Sequence, residues 1–380
     1  MELNPLPVNA RALRLNETLE SILNRAVRGY DLAAEALHLG GRKAPYDDAR
    51  YEFLGGPGES LRKKHYDKSL RLLWKAEQRA PFLDFRDASD EEKALTRMAK
   101  EAMNDAEKQA LERISLPEYR AFLDRTYTRE QKQAIVNILS AIGHGEAYAW
   151  LVSADLLNQV KSTGARAAVT MQVLEEAKHF VVLRELLQAF DVPIPRQSVW
   201  EYLTLEKVHK AEGLEKFFGM NVVVEGIALS LFGLMGEMPG LEVLRLFHLD
   251  ESRHTGLPGN YLKEFPLSER DQKSLRKRWQ RLFMAIPMIA LIPLMEKDLS
   301  VIGVDAFEFG GSVLRKITTL AERSGFLLPA PREKVLSDIN EVFNLYCRAT
   351  RPGHVHRDFM CADTTKGEAQ RAVERDILAA

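Results

Sequence analysis

Cysteine is nearly missing from this chain. Cys347 and Cys361 are the only two in 380 residues, too few for a disulfide framework or a thiolate-rich zinc site. Charge of one sign is not in excess either: the formal net charge is −1, so the chain as a whole has no general affinity for nucleic acid or anionic membranes. The N-terminus, "MELNPLPVNARALRLNETLE", lacks the basic-then-apolar layout of a secretory signal, and a cytoplasmic location is expected. The most apolar segment noted, "MAIPMIALIPLM" at 284–295, is too short to span a bilayer and carries Pro287 and Pro293. It reads as a kinked core helix, a membrane-touching segment being the lesser alternative. Alternating strand patterns are almost absent, and fixed-period repeats, low-complexity tracts and dinucleotide, flavin or haem fingerprints are missing.

What remains is helical periodicity. Helices are expected at roughly 13–39, 59–80, 89–112, 129–160, 165–190, 205–235, 240–256, 267–300, 305–325 and 332–348. Breakers such as "KSTG", "DVPIPRQ", "GEMPG" and "LLPAPRE" separate them. The expected class is all-α. Residues 1–128 form an N-terminal helical extension, 129–257 a core, 258–349 further helices completing the same domain, and 350–380 a charged surface tail.

Charged clusters interrupt the apolar helices. The pattern Glu-x-x-His occurs four times, at Glu35/His38, Glu176/His179, Glu206/His209 and Glu251/His254, where random placement gives roughly one. Residues three apart share a helix face, so any of the four pairs has the spacing to grip a metal. Glu206/His209 is interleaved with Lys207 and Lys210 and reads as a solvated face. Glu35/His38 abuts "LGG" and reads as a helix end. The other two, "EEAKH" and "DESRH", lie in strongly apolar runs, each with a second acid before the glutamate. His254 sits at about −60° and Asp250 at about −100° around the axis from Glu251. Asp250, and likewise Glu175, is therefore placed to accept a hydrogen bond from the imidazole N–H of a facing helix.

Two lone glutamates complete the pattern, Glu146 in "ILSAIGHGEAYAWLVSADLL" and Glu225 in "FFGMNVVVEGIALSLFGLM". A carboxylate in such a run must be paired, protonated or metal-bound. A buried Glu–Arg or Glu–Lys pair is the plainer alternative. Glu146 precedes Glu176 by 30 residues and Glu225 precedes Glu251 by 26, with "KSTG" and "GEMPG" near the two midpoints. Helices folded back at those turns bring each lone glutamate level with its Glu-x-x-His partner. Residues 191–204 are long enough to cross the length of a bundle.

The order Glu, Glu-x-x-His, Glu, Glu-x-x-His resembles the ferritin-like di-iron carboxylate superfamily. The "DESRH" form is most similar to its oxygen-activating branch: monooxygenase hydroxylases, acyl-carrier desaturases and ribonucleotide reductase small subunits. The resemblance covers about residues 129–257. It implies a four-helix bundle extended by N- and C-terminal helices, with Glu146, Glu176, His179, Glu225, Glu251 and His254 as ligands and catalytic centre. No subfamily is matched in full. Leu183 stands where the radical tyrosine of reductase subunits is found, and those subunits often carry Asp in place of Glu146. "GIAL" at 226–229 lacks the threonine of hydroxylases and desaturases. Phe247, not its neighbour His248, occupies the position of the extra histidine of an N-oxygenase family.

Carboxylate and imidazole donors without thiolate suit iron or manganese rather than zinc. Four glutamates against two divalent ions give a neutral core, with Glu176 and Glu251 as expected bridges. The expected activity is therefore a di-iron, O2-dependent oxidoreductase, with a manganese–iron pair as the variant. Its substrate is expected to be a small, apolar organic molecule. Electrons would come from a ferredoxin or flavoprotein reductase, with no nucleic-acid partner, no membrane span and a homodimer as the default. Ferroxidase or iron handling, and a radical-generating subunit, are the competing functions. Ile142, Ala149, Trp150, Val222 and Ala228 lie three or four residues from the lone glutamates and are candidate pocket residues, close helix packing being the equal alternative. Gln172 and Asn221, each four residues before a ligand glutamate, are candidates to hold the carboxylates. Tyr148 is read as packing rather than as an electron relay.

Overall fold

A computed structural model describes residues 3, 5–37, 113–114, 116–161 and 163–360. Among them every regular element is a helix. We number these α1 (Ala10–Ala36), α2 (Pro117–Thr126), α3 (Arg129–Leu156), α4 (Thr163–Ala189), α5 (Val199–His209) and α6 (Glu215–Met235). There follow α7 (Leu244–Glu264), α8 (Glu269–Lys273), α9 (Leu275–Val301), α10 (Ala306–Arg323) and α11 (Arg332–Thr350). The helices expected at 59–80 and 89–112, His38 and the chain beyond 360 lie outside the described residues.

Local signals set the boundaries. Thr128 caps α3 through a reciprocal box with Gln131, and Asp305 caps α10 by accepting from the Phe307 and Glu308 amides. The chain reverses between Leu156 and Thr163 and at "GEMPG", so α3 packs against α4, and α6 against α7, as two hairpins. Contacts of α7 with α4 and of the first half of α6 with α3 bring the hairpins together. Two tyrosines, one in α2 and one just after it, brace the α6–α7 turn, Tyr119 Oη donating to Gly240 O at 2.5 Å and Tyr127 Oη to Pro239 O at 2.6 Å. Gly240 has φ +86°, a conformation glycine adopts without steric cost. Outside the hairpins, α9 lies on α3 and α5, α10 on α6 and α9, and α11 on α10.

Four expectations are corrected. Residues 191–204 are not a continuous link: Ser198 and Glu201 form a second capping box, and α5 follows. The helix expected at 205–235 is broken at Gly213, φ +58°, so α6 begins at Glu215. Helix α7 continues past "GLPG" to Glu264 with Pro258 inside it. The segment after 350 is not wholly a surface tail. Phe359 and Met360 are buried against Phe307 and Phe343, and Asn340 and Asn344 bind the backbone of Arg357 and Phe359. A side chain at Gly311 would collide with Phe359 O, which explains the glycine beneath this strap.

The apolar stretch that matches a bilayer in length and composition is α6 rather than 284–295, and 78% of its most apolar window is buried inside the protein. Its first residue is tied down by charge. Arg281 of α9 is fully buried and forks onto Glu215, Nε to Oε2 at 2.8 Å and Nη2 to Oε1 at 2.7 Å, while Nη1 donates to Leu327 O. The Glu–Arg pair weighed for the lone glutamates thus exists, at Glu215. Removing one partner of a buried pair strands the other charge. Arg281→Met is expected to lower stability by about 3–5 kcal/mol in urea titration. Lys334→Met, which removes the exposed Lys334–Asp338 pair, is expected to cost under ~1 kcal/mol.

Candidate metal centre

All six acids and imidazoles singled out in the sequence meet between the two hairpins. Glu146 comes from α3, Glu176 and His179 from α4, Glu225 from α6, and Glu251 and His254 from α7, and all are buried. Donor atoms of Glu146, Glu176, His179 and Glu251 lie within 4.8 Å of one another, as do those of Glu176, Glu225, Glu251 and His254. Glu176 and Glu251 belong to both groups, and each divides its two oxygens between them. Glu176 Oε2 lies 3.6 Å from His179 Nδ1 and Oε1 3.0 Å from His254 Nδ1. Glu251 Oε1 lies 3.0 Å from His179 Nδ1 and Oε2 2.9 Å from His254 Nδ1. The lone glutamates sit one at each end, Glu146 Oε2 3.4 Å from His179 Nδ1 and Glu225 Oε1 3.4 Å from His254 Nδ1.

The outer nitrogens are held crosswise. His179 Nε2 donates to Asp250 Oδ2 at 3.0 Å and His254 Nε2 to Glu175 Oε2 at 2.9 Å, so each helix supplies the acid that orients the other's imidazole. With Nε2 protonated, the Nδ1 lone pairs face the carboxylates, the tautomer a metal requires. Arg253 Nη2 bridges the two outer acids, at 2.7 Å to Glu175 and 2.5 Å to Asp250, and Lys178 adds a bond to Asp250. Gln172 Nε2 reaches Glu225 Oε1 at 3.2 Å and Glu176 Oε1 at 3.4 Å, and Asn221 fixes Gln172 and the His254 carbonyl. Phe247, in the place of the extra histidine considered above, stacks on His179 at 4.3 Å, and His248 turns away to donate to Leu229 O.

The backbone of α6 departs from α-helical geometry just before Glu225. Residues Phe218–Val224 form a π-helical stretch in α6, and the Glu225 amide donates to Met220 O, five residues back. Such turns are rare and recur at functional sites because they re-aim a side chain without ending the helix. The run "FFGMNVVV" is apolar apart from Asn221 and contains no proline or other helix breaker to mark the phase change.

The donors fit a pair of cations. Glu146 Oε2, Glu176 Oε2, Glu251 Oε1 and His179 Nδ1 are buried without a hydrogen-bond partner, although burying an unsatisfied polar atom carries a substantial penalty. The proton chemistry agrees. Burial pushes the Glu146 and Glu225 carboxyls well above their usual range. Burial also acts to raise Glu176 and Glu251, but the two imidazoles outweigh it and hold both below that range. Against the effect of burial, Glu251 and Asp250 hold His179 well above its ordinary value, and Glu176 and Glu251 do the same for His254. Two neutral carboxyls, two carboxylates and two imidazolium ions sum to zero. Four carboxylates, two neutral imidazoles and two divalent cations also sum to zero, so a metal pair would replace four protons with no change in buried charge.

An almost wholly apolar cavity of about 90 Å³, counted as room for the centre of a water molecule, adjoins the cluster. Glu146, Glu225, Ile142, Ala149 and Ala228 line it, as do Met288, Ile292 and Met295 of α9 and Phe309 and Ile317 of α10. Two candidate pocket residues do not line it. Trp150 is 39% exposed on the outside of α3, and Val222 packs in a separate core cluster with Phe218 and Phe326. Tyr148 is buried against the His209 ring, as packing. The walls from α9 and α10, and Glu201 with its hydrogen bond to His144, were missed; the apolar run at 284–295 was the available signal.

Glu206/His209 stays apart from both donor groups, but the expectation of a solvated face is corrected: Glu206 is buried on α5, with Lys210 as its ion-pair partner. The Glu35 side chain and His38 lie outside what is described.

For the metal-free protein the signs give a pH dependence. The raised carboxyls and raised imidazoles mean that the folded state holds more protons than the unfolded one. Their contribution to stability therefore falls as pH rises above 4.5 for Glu146 and Glu225 and above 6.5 for the histidines. The lowered Glu176 and Glu251 lose theirs only as pH falls below 4.5. Thermal unfolding of chelator-treated protein should show Tm decreasing from pH 6.5 to 9, and divalent metal should abolish that decrease. A metal-free Tm that rises over this interval would contradict the assignment. Comparison of the chain with protein-family models, with curated proteins and with solved structures found no match.

Proposed function

We propose that this protein is a non-haem di-iron oxidase or oxygenase with a ferritin-like four-helix core, acting with O2 on a small apolar organic substrate. The observation that carries the reading is the joint position of Glu146 and Glu225: each belongs to one of the two donor groups, and both form part of the wall of the apolar cavity. A substrate in that cavity would lie directly against the metal pair. Carboxylate and imidazole donors suit iron, with a manganese–iron pair as the variant. When bound, such a pair supplies reductive activation of O2 for attack on a C–H or N–H bond.

The chain's own groups have separable tasks. Glu176 and Glu251, which belong to both donor groups, would hold both ions. Asp250 and Glu175 hold the imidazoles in one tautomer, and Gln172 with Asn221 restrains Glu225 on the cavity side. The aliphatic walls exclude water from the reacting face, which protects a reactive oxidant from quenching. They also argue against iron storage, because a path for hydrated Fe²⁺ calls for polar lining. Leu183, buried at the place of the radical tyrosine, argues against a radical-generating subunit. Reducing equivalents would come from an external ferredoxin or flavoprotein reductase. A cytoplasmic homodimer, without a nucleic-acid partner or a membrane-spanning segment, is the assembly we propose.

Glu225→Ala tests this reading. Metal analysis should fall from two ions per chain to one, and O2 uptake by the reduced protein should be lost, with the helical circular dichroism kept. Glu206→Ala should retain both ions. Two ions in Glu225→Ala would remove that residue from the centre, and O2 uptake that scales with many irons per chain would indicate storage instead.

A further inference from the structure

Helix α9 has an unusual outer face. Leu275, Trp279, Phe283 and Ile286 recur at intervals of four, four and three, so they share one side of the helix. All four are exposed, Trp279 at 48% and Phe283 at 50%, and their rings stack with centroids 5.7 Å apart. Isolated exposed apolar residues are ordinary, but a contiguous aromatic stripe marks an interaction surface. Pro287 removes the amide that would have bonded to Phe283 O, and Lys207 Nζ of α5 takes that carbonyl at 3.0 Å. The backbone that presents the aromatic pair is thereby fixed.

Two further observations identify the occupant. The first is charge. The net charge of −1 conceals a local excess: residues 269–281, "ERDQKSLRKRWQR", contain six basic side chains and two acidic ones. Three of the six are spent within the protein, Arg281 on Glu215, Lys273 on Glu269 and Lys277 on Asp271, which leaves Arg270, Arg276 and Arg278 as the excess; Arg270 and Arg276 are exposed, and Arg276 adjoins Leu275 at the end of the stripe. Aromatic and aliphatic residues flanked by Lys and Arg are the composition of a helix that lies in a lipid headgroup layer. The second is the other side of the same helix. Met288, Ile292 and Met295, roughly opposite the stripe around the helix axis, line the apolar cavity, and the half-buried Ala285 and Ile289 carry that lining round the flank to within about a turn of Phe283 and Ile286. One helix therefore presents an apolar, cation-flanked face outward and walls the cavity that reaches Glu146 and Glu225 inward.

We propose that α9 docks on an anionic lipid surface through Leu275, Trp279, Phe283 and Ile286, and that the cavity draws its apolar substrate from the bilayer. The docking stands on its own observations. The substrate class, a lipid-dissolved molecule with no polar group along the part that enters, rests on the oxidase reading above. The attachment is interfacial, with the helix axis along the surface, because the inner face of α9 is committed to the protein core.

The test is co-sedimentation of the full chain with vesicles of pure phosphatidylcholine and of phosphatidylcholine mixed with phosphatidylglycerol, with metal content measured on each sample. Binding is expected to the phosphatidylglycerol vesicles, to weaken with salt, and to fall by roughly tenfold or more in Trp279→Ser/Phe283→Ser. Arg276→Gln should weaken it about fivefold, the equivalent of ~1 kcal/mol per basic residue near an anionic surface. No pelleting with phosphatidylglycerol vesicles, or pelleting unchanged in the double variant, overturns the proposal. So does a dimer that the double variant dissociates, since a second copy would then be the occupant. A chain that binds two metal ions but no vesicles sinks this inference and leaves the metal centre standing; vesicle binding by a chain that takes up no metal does the reverse.

Discussion

Four carboxylates and two imidazoles buried at one point are the constraint around which the molecule is arranged. Left charged and uncompensated, such groups would each cost several kcal/mol in an apolar interior. Protons or cations must neutralise them. The cluster accommodates both, because two oxygens of Glu176 and two of Glu251 face opposite imidazoles and the outer nitrogens are already satisfied by Asp250 and Glu175. Everything that holds the four helices in register, from the capping box at Thr128 to the Glu215–Arg281 fork, also maintains that convergence.

Much of the centre was legible because burial of an acid is costly enough to leave a mark in sequence. Glu146 and Glu225 stand out in apolar runs, and turns near the midpoints of the 30- and 26-residue intervals fix their level. The crosswise roles of Glu175 and Asp250 followed from helical angles alone. Face assignments failed where that regularity was pushed too far. Four residues beyond Glu146 the helix has advanced about 40° past a full turn, which carries Trp150 toward solvent, while Ala149 on the other flank meets the cavity. Val222 lies inside the π-helical stretch, where spacing of 3.6 does not apply.

Other misjudgements have equally local causes. The prolines of "DVPIPRQ" masked the Ser198–Glu201 capping signal that starts α5. Lys207 and Lys210 suggested a solvated face, yet Glu206 is buried in the protein, with Lys210 one turn on reaching back to pair with it from the exposed edge. In "RPGHVHRDFM" the polar residues outnumber the two that decide the outcome, Phe359 and Met360, which insert against Phe307. Walls contributed by α9 and α10 could not be read, because nothing in a single sequence says which core helices border the same void.

The most direct measurement of the central claim is anomalous diffraction from crystals of the protein loaded anaerobically with Fe²⁺. Two anomalous maxima about 3.5–4 Å apart, between α3, α4, α6 and α7 and within bonding distance of Glu176 and Glu251, are the expected result. Carboxyl groups refined in direct contact with protonated imidazoles, with no anomalous density among them in iron-saturated crystals, would contradict it.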